Sequence, residues 1–132
     1  MTIPVHPMLV HFPIAFYFLE LILLCGWAKR RDENYLNFAR FTFRLGYLFM
    51  ILAIVMGFLD AGGIPGIQGR VRTHFFSAAS VFVLYTIRAF FWRFGNVQDP
   101  SYQKTQLLFA LAGNILVVMT GYFGGLLVYG ST

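Results

Sequence analysis

The sequence predicts an all-α integral membrane protein, a four-helix bundle with both termini on the non-cytoplasmic side (N-out/C-out). Three observations predict it. Hydrophobic residues make up 58% of the 132-residue chain and charged residues 11%, whereas soluble domains carry roughly 25% charged residues. The apolar residues gather in four runs, each close to the roughly 20 residues a helix needs to cross the hydrocarbon core. The basic residues lie in the connections between those runs, which is a membrane-topology pattern. With 16 Phe in so short a chain, no soluble core would hide the apolar surface.

The length allows one domain, residues 1–132. Its first apolar segment runs from about Leu9 to Ala28 and stops at Lys29-Arg30-Arg31. The second runs from about Phe41 to Ala61 and stops in Gly62-Gly63-Ile64-Pro65-Gly66. The third runs from about Thr73 to Trp92, and the fourth from about Thr105 to Tyr129. None alternates polar with apolar residues, so barrel strands are excluded. Short connections make sequential helices antiparallel neighbours. No repeat or low-complexity tract is expected. The start lacks a positive n-region and a small-residue cleavage motif, so the first segment is expected to stay in the mature protein.

Charge placement sets the expected orientation. Lys29, Arg30, Arg31, Arg40 and Arg44 flank the first connection, and Arg88, Arg93 and Lys104 flank the third, eight of the ten basic residues. The second connection holds only Arg70 and Arg72. The positive-inside rule puts the termini and the second connection outside the cytoplasm, in a bacterial inner membrane. The net charge of +5 and the pI near 9.7 therefore do not point to nucleic acid, for no basic face remains outside the apolar runs. The single cysteine, Cys25, excludes an internal disulfide and an iron–sulfur cluster. It is expected to be a buried small hydrophobe.

This topology gathers chemistry at one end. In the stretch Pro4-Val-His-Pro-Met-Leu-Val-His-Phe-Pro13, His6 and His11 open helix one. Asp60 closes helix two, His74 opens helix three, and Tyr129 closes helix four. A histidine pair from two helices is how a four-helix membrane bundle holds a b-type haem. His11 and His74 are the expected axial pair, being at similar depth just inside their helix N-termini. There the helix dipole disfavours imidazolium and keeps the ring neutral. His6 lies about 140° from His11 on a continuous helix, but Pro7 and Pro13 would let a non-helical entry bring both rings to one centre. Asp60 is expected to orient a histidine, bind metal, or cap its turn. Arg70 and Arg72 would take haem propionates through paired donors, or touch lipid headgroups.

Competing readings attach to the same residues. A non-haem Fe, Cu or Zn site would use His6, His11, Asp60 and His74, and a cofactor-free structural subunit or anchor would need none of them. Gly57, Gly121, Gly124 and Gly125 would admit a flat ring or pack helices. Glu20, in mid-helix, is a functional candidate by its cost alone. About 180° from His11, it is expected to face away from the site and to pair with Arg44 or a partner subunit. Ser77 and Ser80 have no acid to complete a triad, so a stand-alone enzyme is not expected. Expected partners are the lipid bilayer, a redox partner or larger membrane complex, and a second copy of the chain.

The opening His6-Pro7-Met8-Leu9-Val10-His11-Phe12-Pro13 resembles the His-Pro-x-x-Val-His-Phe-Pro signature of a family of small bacterial four-helix predicted membrane proteins, a domain of unknown function. Gly57 with Asp60, then His74, is similar to its middle, and Gly121-Tyr122-Phe123-Gly124-Gly125-Leu126-Leu127-Val128-Tyr129 to its closing element. The resemblance covers nearly the whole chain. It implies that His6, His11, Asp60 and His74 belong to the family pattern. Relatives fused to Rieske domains imply redox work at a membrane. This chain closes at Thr132, soon after the last motif, so any electron-transfer partner is expected to be a separate chain.

Overall fold

Four long helices form because the apolar runs leave no other way to satisfy backbone groups in lipid. The structure, a computed structural model, describes residues 5–130. Pro4, which opens the histidine–proline stretch, and Thr132 lie outside the described residues. The helices are α1 (Val5–Arg30), α2 (Glu33–Asp60), α3 (Gly69–Phe94) and α4 (Pro100–Tyr129), with a 3-10 turn at Ile64–Gly66 between α2 and α3. Among the described residues there is no strand. Each helix is long and apolar enough to span a bilayer.

All four helices extend beyond the apolar runs. α2 begins eight residues before Phe41 because Asp32 caps it, accepting from the Asn34 amide at 2.9 Å. α4 begins at Pro100 behind Asp99, which accepts from the Ser101 amide at 2.9 Å. α1 is continuous through Pro13, so no non-helical entry brings His6 and His11 together. The turn between α1 and α2 is only Arg31-Asp32, with Arg31 in the left-handed region at φ 57°.

The helices pack around one axis, each against its two neighbours: α1 on α2, α2 on α3, α3 on α4 and α4 on α1. The α1–α2 seam is the most extensive and the α2–α3 seam the thinnest. The axis is filled by Tyr17, Leu24, Phe43, Met50, Val81, Tyr85, Ala110 and Val117. Large apolar side chains such as Phe18, Phe38, Phe76, Phe90 and Val118 stand exposed around the outside, a surface that is stable only against lipid tails. Cys25 belongs to that outer surface; it is exposed rather than buried, because Leu24 takes the inward position beside it.

Candidate functional site

Two polar layers interrupt the apolar axis, one where α1 begins and one past its middle. The first is built from His6 on α1 and His74 on α3, whose rings lie 6.0 Å apart, centroid to centroid, in an edge-to-face arrangement with 76° between planes. Both rings are half-buried. His6 Nδ1 lies 2.7 Å from the Ala53 carbonyl oxygen on α2. His74 Nδ1 lies 3.2 Å from the Thr120 carbonyl oxygen on α4. A carbonyl only accepts, so each Nδ1 donates, which in the neutral tautomer leaves the lone pair on Nε2. All four helices therefore contribute to this layer, α1 and α3 carrying the imidazoles while α2 and α4 orient them.

Glycines make the space. A Cβ at Gly57 would sit 2.8 Å from the His6 ring, and one at Gly124 would sit 3.0 Å from the His74 ring. Gly121 and Gly125 do not serve this purpose, since a Cβ on either would meet nothing closer than 3.9 Å. Below His74, the Ser77 hydroxyl bonds the Thr120 hydroxyl at 2.6 Å, while Ser80 bonds its own helix at the Phe76 carbonyl. Neither meets an acid.

The other expected site residues lie around this layer rather than in it. His11 is exposed, its Nδ1 2.7 Å from the Pro7 carbonyl oxygen of its own helix. On a continuous α1 the two histidines point apart, so the partner of His74 is His6. Asp60, Arg70, Arg72 and Tyr129 are exposed at the same end. Among the described residues, no group of three or more His, Cys, Asp or Glu side chains stands close enough to hold a metal ion.

The second layer was not foreseen in composition. Glu20 and Arg88 are both 0% exposed and form an ion pair across the bundle from α1 to α3. Arg88 Nη1 donates to Glu20 Oε2 at 3.0 Å, Nη2 donates to Oε1, and Nε donates to Gln106 Oε1 on α4 at 3.2 Å. Gln106 Nε2 in turn donates to the Tyr102 hydroxyl at 3.0 Å, which donates to the Phe91 carbonyl at 2.8 Å. The guanidinium also lies over the Phe43 and Tyr85 rings, at 5.1 and 5.3 Å. Two expectations are corrected here. Arg88 is no headgroup cation of the third connection, and the partner of Glu20 is Arg88, while Arg44 is exposed. Glu20 does face away from His11, but His11 is the outward histidine, so the same geometry turns Glu20 into the core.

Between the layers lies a stack of Tyr17 on Tyr85, 3.6 Å between centroids and 15° between planes. Tyr17 donates to Met50 Sδ at 3.5 Å, and Asn114 Nδ2 ties α4 to the Tyr17 carbonyl at 3.2 Å. Gly46 and Gly113 make room for this pair, since a Cβ would come 2.8 Å from Tyr17 Cε1 and 2.6 Å from the Tyr85 hydroxyl. Four helices long and apolar enough to span a bilayer, with large apolar side chains exposed around the outside, make the chain an integral membrane protein. No curated protein and no solved structure gives a match to it. A family profile described as predicted membrane protein (DUF2231) matches residues 2–132, and the chain belongs to that family.

Proposed function

We propose that this membrane protein is an electron-transfer protein holding one metal centre between His6 and His74, in the form of a b-type haem. The observation that carries the reading is the imidazole pair itself. Each ring is oriented by an Nδ1 bond to a backbone carbonyl, the arrangement that metal-ligating histidines use to fix their tautomer. The rings stand 6.0 Å apart, centroid to centroid, close enough that His6 and His74 would hold one shared centre. Two protein ligands favour haem over a bare ion, because the porphyrin supplies the remaining nitrogens, whereas an iron or zinc ion asks for three or four from the chain. Haem would supply reversible one-electron chemistry, and Arg70 and Arg72, one turn before His74, would pair with its carboxylates. The positive-inside pattern favours the non-cytoplasmic side for this layer.

A reduced-minus-oxidised absorption spectrum of the detergent-purified protein, with metal analysis on the same sample, tests this. The expected result is a b-type α band with about one iron per chain. The band should be lost in His6→Ala and His74→Ala and kept in His11→Ala. A featureless, metal-free protein made with ample haem would refute the reading and leave the two rings as helix packing. Metal without the band would move it to a non-haem centre.

A further inference from the structure

The two helix hairpins, α1 with α2 and α3 with α4, repeat their contacts at a constant separation. Glu20 and Arg88 are 68 residues apart. His6 and His74, and Tyr17 and Tyr85, which also meet across the axis, share that separation. From α2 to α4 the separation is 67. Ala53 and Thr120 accept from the two histidines, Gly57 and Gly124 seat the two imidazoles, and Gly46 and Gly113 seat the two tyrosines. The turns agree. Asp32 and Asp99, again 67 apart, each accept from the amide two residues on. Tyr35 and Tyr102 each fill the space beside a glycine at the end of the preceding helix, Gly26 and Gly95. No repeat is expected from the sequence, and the structure shows why it hides. The shared residues are few and sit at contacts, while the lipid-facing positions between them carry unrelated apolar residues.

We infer that the chain is two copies of one helix hairpin facing each other about a pseudo-two-fold axis, and that Glu20 and Arg88 are the lock that fixes their pairing. Beside such an axis a residue meets its own counterpart. Histidine and tyrosine tolerate that meeting. An ionised residue does not, because like charges in a buried layer repel strongly. At this one layer the counterparts have opposite charge, so the first hairpin fits the second better than either fits itself. Gln106 extends the asymmetry. Its counterpart on α2 is Ala39, also fully buried, so the second hairpin carries an amide for the guanidinium at a position where the first carries only a methyl group. Sliding one hairpin past the other by a helical turn of about 5.4 Å would strand both charges. The lock therefore also sets the register of His6 against His74 at the far end. Nothing in this inference requires an occupant between the imidazoles.

The test exchanges the two halves of the lock. Glu20→Arg alone and Arg88→Glu alone should each abolish the folded state, read as loss of the thermal transition in detergent. Exchanging both, together with Ala39→Gln and Gln106→Ala, should bring the melting temperature back to that of the unaltered chain. The charge exchange without the amide exchange should recover only part. A four-residue exchange no more stable than either single reversal would overturn the inference. A second measurement holds if that variant gives no protein. In a Cys25→Ser chain, His6→Cys with His74→Cys should be joined in membranes by a short bis-maleimide. Adding Glu20→Leu with Arg88→Leu should lower that yield several-fold while the helices stay inserted. An unchanged yield would mean the charges do not set the register, and would also overturn it.

Discussion

Arg88→Met is the substitution whose cost the structure defines best. The side chain keeps an unbranched apolar stem but ends about where Nε stood, and loses its two bonds to Glu20, its bond to Gln106 and its contact with two aromatic faces. Removing one member of a buried pair typically costs about 3–5 kcal/mol, because the survivor is left uncompensated. Glu20 can limit the damage by taking up a proton, since an ionised carboxylate at membrane depth costs about 2.5–3.5 kcal/mol. The expected loss is therefore about 3 kcal/mol, toward the lower end of that range. Removing both charges as Glu20→Leu with Arg88→Met should return most of it, for an apolar pair fills the space without stranding a charge. Denaturant titration in mixed micelles, followed by the fluorescence of the two tryptophans, reads this directly. Trp27 and Trp92 are both buried, and Trp92 lies one turn from Arg88. Arg44→Met, at an exposed position, is the control and should leave the midpoint unchanged. A loss under about 1 kcal/mol for Arg88→Met, the value of a solvent-exposed pair, would refute the argument. So would a double variant less stable than the single one.

Two further outcomes follow. Gly113→Ala should destabilise by about 1–3 kcal/mol, the usual cost of overpacking, because its Cβ would lie 2.6 Å from the Tyr85 hydroxyl, whereas Gly125→Ala meets nothing within 4 Å and should be near neutral in the same titration. For sidedness, single cysteines placed at Gln68 and Asn96 in a Cys25→Ser chain should be told apart by a membrane-impermeant maleimide in intact cells. Gln68 should label and Asn96 should not, and the reverse would overturn the positive-inside assignment.

The spans were legible because a run of apolar residues is a one-dimensional signal, and the four helices lie where hydropathy puts them. Their ends were not, since Glu33–Arg40 and Pro100–Lys104 are polar enough to read as loop. Asp32 and Asp99 were the visible signs, each a capping residue ahead of its helix. At the histidine end the residue types were readable and the pairing was not. Pro7 and Pro13 suggested a broken helix, but Pro7 sits in the first turn, where a proline costs little, and α1 continues through the interior Pro13 although that residue has no amide to donate. Continuity turns His6 inward and His11 outward. Arg88 was missed because counting basic residues by segment treats every arginine near a helix end as a headgroup contact. The missing cue was the spacing His-x10-Tyr-x2 followed by a charge, present in both α1 and α3 with opposite signs. Hydropathy averages such a spacing away, because it concerns which face a residue occupies.

The ion pair also imposes a timetable on biosynthesis. Glu20 enters the membrane with α1, and its partner is made 68 residues later. At about 5–20 residues per second, that is a wait of roughly 3–14 seconds. For that interval the nascent α1–α2 hairpin carries a carboxylate with no guanidinium to meet it. It must hold a proton, linger near the translocon, or keep that face turned from lipid. Arrival of α3 ends the wait, so the closing of the bundle is tied to the appearance of one side chain, Arg88.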